Sequence, residues 1–391
     1  MIGHSPSVPP RRSANWEHPY ALGVNELVCL DLPLGERFVD EMRRAWDSGD
    51  AVFPLDQRLP APARAALVRE VAPTRIVSLD GDSGFDGRPV EAGDAVVVAT
   101  SGSTGLPKAA VLTHHAVRAS AMAVHARIGA GSSDAWLACL PPAHVGGLSV
   151  VMRCLVSDMR LICAPAFSPE AYLSAAREGA TLVSLVPTAL RRVDPSLYRV
   201  IVLGGSRPPA DRPANCLATY GMTETGSGVV YDGMPLDNVQ VKVVDGVIHV
   251  RGPMLLRCWR DGTTPVDSDG WLRTGDMGSV DADGRLTVHG REGDLIITGG
   301  ENVWPEPVEA AIDTHPDVVE SCVVGVDDPE WGQAVHAFVV LRNELTLDAI
   351  REHVKLTLPA HCAPKHLHVV DSVPRTALGK PRRAELLSSL D

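Results

Sequence analysis

The run Asp94-Ala95-Val96-Val97-Val98 reads as a strand, and it leads straight into Ala99-Thr100-Ser101-Gly102-Ser103-Thr104-Gly105-Leu106-Pro107-Lys108. This loop carries four hydroxyl side chains, two glycines and a lysine. Glycines let backbone N–H groups approach phosphate oxygens, hydroxyls donate further bonds, and the lysine adds a mobile positive charge, so the loop suits a triphosphate. Pro107 stiffens the exit, which separates this order from an ordinary flexible Ser/Gly connector. It is not a Walker A loop. That motif closes on Gly-Lys-Ser/Thr, whereas Lys108 stands between Pro107 and Ala109.

Strand and helix patterns alternate around the loop. Phe38, Met42 and Trp46 share one helix face, 51–56 reads as a strand ending at a turn, and 62–71 as a helix. After the loop come a strand (109–113), a helix to about Ile128, a short strand (136–140), a helix (170–177) and strands at 181–186 and 200–203. This order predicts a layered α/β sheet. From Val239 the signal changes to antiparallel β, with Asp245-Gly246 and Asp283-Gly284 as hairpin turns and 261–270 as an exposed loop between them. Beyond Arg291, helix (305–314), strands (318–326, 334–341), helix (346–358) and strand (366–370) predict a small α+β domain.

Composition narrows the function. At 391 residues the chain implies two or three domains. A net charge of −12, from 36 basic and 48 acidic residues, argues against a nucleic-acid surface, so an anionic ligand must be met by local positive charge. The 8 cysteines contain no Cys-x-x-Cys pair, which fits reduced thiols in a cytoplasmic protein rather than a disulfide frame or zinc site. No apolar run is long enough to span a membrane, and residues 1–15 lack the apolar core of a secretory signal.

Several further motifs carry chemistry. In Tyr220-Gly221-Met222-Thr223-Glu224-Thr225 the tyrosine can stack a base, the Thr223 hydroxyl can hold a phosphate or the reacting carboxylate, and Glu224 can ligate Mg2+. Asp276, on the turn that ends Trp271-Leu272-Arg273-Thr274-Gly275-Asp276, can accept from both ribose hydroxyls, although a lone turn aspartate is usually only solvated. Gly204-Gly205-Ser206 follows a strand and is either a plain turn or a close approach to a flat ligand. Arg153 sits inside the apolar run 148–155 and is costly to bury alone, so it meets either an internal Asp or Glu or an acidic group on a substrate.

Taken together, the Thr100–Lys108 loop, the Tyr220–Thr225 hexapeptide, Asp276, Arg291 in Gly290-Arg291-Glu292-Gly293-Asp294 and Lys380 in Pro374-Arg375-Thr376-Ala377-Leu378-Gly379-Lys380 resemble the adenylate-forming acyl- and aryl-CoA synthetases. The resemblance covers residues 50–385, with a shorter N-terminal part than most relatives have. Residues 1–20 read as a disordered leader, and the resemblance implies the synthetase fold: an adenylating α/β domain with an antiparallel β subdomain (21–292) and a mobile α+β lid (293–391). It also implies ATP, Mg2+ and coenzyme A as reactants, with no prosthetic group, no membrane span and a homodimer left open. By the same resemblance Thr100, Ser101, Gly102, Ser103, Thr104, Gly105 and Lys108 hold phosphate. Gly204, Gly205, Ser206, Tyr220, Gly221 and Met222 flank the adenine, and Asp276 and Arg291 hold the ribose.

Lys380 is implied to offset negative charge as carboxylate attacks the α-phosphate, an electrostatic role. Gly293 stands at the hinge, and Thr298-Gly299-Gly300 begins a segment that leaves room for pantetheine. His144, Gly146, Gly147, Arg153 and Thr225 border the acid, with His144 gating or placing the acyl group or, alternatively, acting as base for the thiol. With Arg153 and the 299–309 stretch, the pattern is similar to the o-succinylbenzoate–CoA ligases of menaquinone synthesis, whose dicarboxylate keeps one carboxyl free for recognition. The alternatives are another aryl or aliphatic acid, a carrier protein or amine as acceptor, and a non-catalytic nucleotide-binding relative.

Overall fold

Residues 25–100, 108–206, 208–209, 211–375 and 381–390 are described by the computed structural model. The chain divides into two units, one ending at Val241 but including Val250–Leu272, the other made of Lys242–His249 and Arg273 onward.

Buried β-branched runs build the first unit. Val96, Val97 and Val98 are inaccessible to solvent, and their stiff side chains favour the extended strand Asp94–Ala99. That strand pairs antiparallel with Ala109–Thr113, and parallel with Ala51–Pro54, in a seven-stranded sheet. The helix Glu36–Asp47 covers this sheet with Phe38, Met42 and Trp46, the face expected from their spacing. A second seven-stranded sheet holds Arg160–Cys163, Ala135–Ala138, Leu182–Leu185, Val200–Leu203 and Cys216–Met222 in parallel, with Ser227–Tyr231 returning antiparallel. Helices His114–Ile128 and Val145–Ser157 pack on each other and on strands of the second sheet, and His114–Ile128 also touches the first. The first is N-capped by the Thr113 hydroxyl, which accepts from the Ala116 N–H at 3.2 Å.

Several elements depart from the sequence reading: the apolar run 148–155 lies in the helix Val145–Ser157, and Tyr220 to Met222 end the strand Cys216–Met222. Cys258–Trp259 leaves the antiparallel block and pairs with Ala109–Thr113 at the edge of the first sheet. Arginines fix it there: Arg257 is forked onto the buried Asp94 carboxylate at 2.9 Å, and Arg260 donates to the carbonyls of Val71 and Pro89 at 3.0 Å. Pattern alone does not register such long-range ion pairs.

The second unit opens with the expected hairpins. Asp245 and Gly246 have φ of 50° and 79°, as the tight turn requires. The sheet runs Gln240–Val244, Val247–Arg251, Leu272–Val280, Leu286–Arg291. A second sheet carries Val318–Asp328 against Gly332–Leu341, with His366–Val369 parallel to the latter. Helices Pro305–Ile312 and Leu347–Lys355 contribute Val308, Ile312, Ile350 and Val354 to its core. Among the described residues no helix is long and apolar enough to cross a membrane.

Candidate active site

Parallel strands of the second sheet all end on one edge, and Gly204, Tyr220 and His144 lie on segments at or just past those ends. Strands Val200–Leu203 and Cys216–Met222 are neighbours, so Gly204-Gly205-Ser206 emerges beside Tyr220. Crevices at the carboxyl ends of parallel strands are where α/β sheets bind ligands. Gly205 has φ of +88°, a conformation that favours glycine, and Gly204 lies against Thr219. A bulge at Tyr220/Gly221 redirects the strand into the short helical turn Thr223–Thr225. Gly221 has no alternative, since a Cβ there would lie 2.2 Å from the Ser227 carbonyl oxygen.

Thr225 is fully buried; its hydroxyl accepts from the Met222 N–H at 3.0 Å and lies 2.7 Å from the Ser227 carbonyl. Its side chain thus braces the turn instead of facing an acid. Thr223 and Glu224 stay half-buried at the rim. Glu224 offers a hard carboxylate suited to Mg2+ that arrives on a nucleotide. Among the described residues no group of three or more His, Cys, Asp or Glu side chains is arranged to hold a metal.

The phosphate-loop hairpin touches this turn: strand Ala109–Thr113 packs on Thr223–Thr225, and Leu112 sits against Gly226. The loop's ends are tied, with the Thr100 N–H donating to the Lys108 carbonyl at 2.7 Å. The exposed Lys108 ammonium stands 5.5 Å from the Trp259 ring centre. Ser101, Gly102, Ser103, Thr104 and Gly105 lie outside the described residues.

Strand Ala135–Ala138 ends on the same edge and leads through two prolines to His144, which starts the helix Val145–Ser157. Gly147 lets the first turn press on the preceding loop, because a Cβ would come within 2.4 Å of the Leu140 and Pro141 carbonyls. Gly146 is exposed. His144 Nε2 lies 3.1 Å from Asp56 Oδ2 and 2.7 Å from Arg58 Nη2. Burial alone would push the Asp56 carboxyl up, but hydrogen bonds from Arg58 and His144 hold it well below the usual carboxylate range. Asp56 and Arg58 carried no local signal of this role.

Two turns along the same helix, Arg153 is buried, with 3% of its surface exposed. Nη2 donates to the Ser227 hydroxyl, and the guanidinium carbon stands 5.2 Å from the Trp136 ring centre. Among the described residues, Nε and Nη1 are buried without a hydrogen-bond partner, as are Trp136 Nε1 and His125 Nε2 nearby. No carboxylate pairs with Arg153 among the described residues. Burial lowers the guanidinium pKa. Burial, with the Arg153 charge adding to it, also pushes His125 down to about 4, so that ring is neutral. An unpaired buried cation costs on the order of several kcal/mol, which an incoming anion would recover.

In the second unit, Asp276 and Arg291 are cross-strand partners, with Arg291 Nε 2.6 Å from Asp276 Oδ1. Asp276 lies within the strand Leu272–Val280 and not on the turn expected from the sequence; Gly275 has φ of +71°, and the Thr274 hydroxyl accepts from the Asp276 N–H at 3.1 Å. The two residues expected at a ribose therefore meet each other. Gly293 is exposed, in a short helical turn at Glu292–Asp294, with open space where a Cβ would sit. Gly299 and Gly300 both have positive φ, 60° and 83°. Lys380 lies outside the described residues.

Comparison with known proteins matches this layout. The AMP-binding enzyme family covers residues 47–259, and the AMP-binding enzyme C-terminal domain covers 307–380. The chain is 38% identical to a probable 2-succinylbenzoate–CoA ligase of Mycobacterium tuberculosis over 365 residues, 86% of this chain and 94% of that protein. It is 34% identical to a 2-succinylbenzoate–CoA ligase of Bacillus cytotoxicus, over 75% of this chain and 70% of the relative. The fold is similar to that of o-succinylbenzoate CoA synthetase from Bacillus subtilis in complex with its acyl-adenylate intermediate, with a TM-score of 0.84 and 26% identity over 93% of this chain and 88% of that one. The layered α/β sheets with a C-terminal α+β part are thus the synthetase fold expected from the motifs, and the chain belongs to the AMP-binding enzyme family.

Proposed function

We propose that the protein is an AMP-forming acid–CoA ligase that activates o-succinylbenzoate and transfers it to coenzyme A, as in menaquinone biosynthesis. The observation that carries the choice of acid is Arg153: a buried guanidinium with two unused nitrogens and no internal acid among the described residues. A dicarboxylate supplies the missing partner with one carboxyl and presents the other for reaction. Relatives named as 2-succinylbenzoate–CoA ligases support the same acid.

In the first half-reaction, Lys108 and the hydroxyl-rich loop neutralise the triphosphate, Thr223 and Glu224 line the reacting carboxylate and the metal, and Asp276 with Arg291 binds the ribose. Glu224 would hold Mg2+, which would screen the charge of the phosphates. Lys380 stabilises the charge that builds as the carboxylate oxygen attacks the α-phosphorus and pyrophosphate departs. In the second half-reaction, the thiolate of coenzyme A attacks the acyl carbon and AMP leaves. A swivel at Gly293, the proposed boundary between adenylating domain and lid, separates the two steps. His144, with Gly146 and Gly147, borders the acyl group. Thr225 supports the turn. Eight free cysteines, none in a disulfide, support a cytoplasmic location.

Product analysis tests the acceptor. With o-succinylbenzoate, ATP, Mg2+ and coenzyme A, mass spectrometry should detect o-succinylbenzoyl-CoA, AMP and pyrophosphate in equal amounts. Adenylate that accumulates without thioester, but is consumed by a carrier protein or an amine, would overturn the coenzyme A reading.

A further inference from the structure

Side chains 86 residues apart in the chain meet at one imidazole nitrogen. Asp56 follows the strand Ala51–Pro54 of the first sheet, and His144 starts a helix that packs on the second. The Asp56 carboxylate, 6% exposed, accepts from the Arg58 backbone N–H at 3.1 Å, from Nε at 2.9 Å and from Nη2 at 2.8 Å. His144 Nε2 then lies 2.7 Å from Arg58 Nη2 and 3.1 Å from Asp56 Oδ2. An imidazole nitrogen serves one of these partners at a time: with its lone pair it accepts from Arg58, and with a proton it donates to Asp56. In either state the nitrogen is engaged, and the ring is aimed by a fork locked on a buried carboxylate.

We propose that Asp56 and Arg58 are positioning residues that act through His144. They hold the imidazole as a fixed wall of the acyl site and keep Nε2 occupied, so the ring places the acyl group and does not deprotonate the thiol through that atom. This rests on the reading that His144 borders the acyl site.

A double-mutant cycle tests it, using Arg58→Gln, His144→Ala and the double variant in the full-length protein. Acid-dependent pyrophosphate release is followed at varied acid and varied ATP, alongside the thermal midpoint. Each single variant should lower kcat/KM for the acid roughly 10- to 100-fold while KM for ATP stays unchanged, as expected of misplacement at the reacting group. The double variant should be no slower than His144→Ala alone. Arg58→Lys, which keeps the charge without the planar fork, should fold normally and remain as slow as Arg58→Gln. Losses that multiply in the double variant, or an Arg58→Gln enzyme as fast as wild type, would overturn the coupling while leaving His144 at the acyl site. Parallel loss of thermal midpoint and ATP affinity in both Arg58 variants would also overturn it, as a mere folding defect. A His144→Ala enzyme as fast as wild type would overturn the underlying assignment of His144.

Discussion

Replacing Arg153 by Met keeps most of the side-chain bulk and removes the charge, and two consequences of opposite sign follow. Nε and Nη1 are the donors left over after Nη2 meets Ser227. Charge-assisted hydrogen bonds contribute about 1.5–3 kcal/mol each, so a substrate carboxylate held by one or two of them gains about 3 kcal/mol. At about 1.4 kcal/mol per tenfold, Arg153→Met should lower kcat/KM for o-succinylbenzoate about 100-fold. The control is the same keto acid without its ring carboxyl, 4-oxo-4-phenylbutanoate. Wild type should disfavour it by a similar factor, and Arg153→Met should use both acids equally. Stability should move the other way, because the free enzyme holds a buried cation with no acid beside it among the described residues. An apolar replacement at such a site is neutral or stabilising by about 1–4 kcal/mol, and domains of this size shift by about 2–4 °C per kcal/mol. Steady-state kinetics with both acids and a thermal melt without ligand read the two effects. Full selectivity retained in Arg153→Met, or a melt lowered by several degrees, would refute the assignment of Arg153 as an acid receptor awaiting its anion.

Lys380→Ala should lower acid-dependent pyrophosphate release by about 100-fold or more, yet convert presynthesised acyl-adenylate and coenzyme A to thioester near the wild-type rate; equal loss in both steps would contradict its confinement to adenylation. A pH effect is expected in the second unit, where His336 Nδ1 lies 3.0 Å from His368 Nε2 and its ring 4.2 Å from that of His366. Burial, with the neighbouring imidazoles adding to it, pushes His336 down to about 4, whereas an unfolded histidine titrates near 6.5. Between those values the unfolded chain binds the extra proton, so stability is full above about pH 6.5 and falls as pH drops toward 4. His336→Phe should flatten that slope in a series of melts, and an unchanged slope would contradict the argument.

Local chemistry made much of this molecule readable in its sequence. Val96 to Val98 announce a buried strand, Asp245-Gly246 a tight hairpin, and the 3.6-residue rhythm of Phe38, Met42 and Trp46 a packed helix face, because each signal lies within a few residues. Sequence order could not decide whether Arg153 had an internal acid, since Trp136, Ser227 and His125 reach it from three other elements. The same limit hid Asp56 and Arg58, which acquire meaning only when His144 arrives from a different sheet's helix. Thr225 shows the reverse error: a hydroxyl in a catalytic-looking motif is consumed by its own turn. Cys258–Trp259 followed a distant arginine–aspartate pair into the first sheet rather than the β pattern around it.

The most direct measurement is the rate of ATP-, Mg2+- and coenzyme A-dependent thioester formation by the wild-type enzyme with o-succinylbenzoate, benzoate, a medium-chain fatty acid and a panel of amino acids at matched concentrations. kcat/KM for the dicarboxylate should lie at least about 100-fold above that for every monoacid, the margin set by the Arg153 contact. Equal or faster turnover of any monoacid would contradict it.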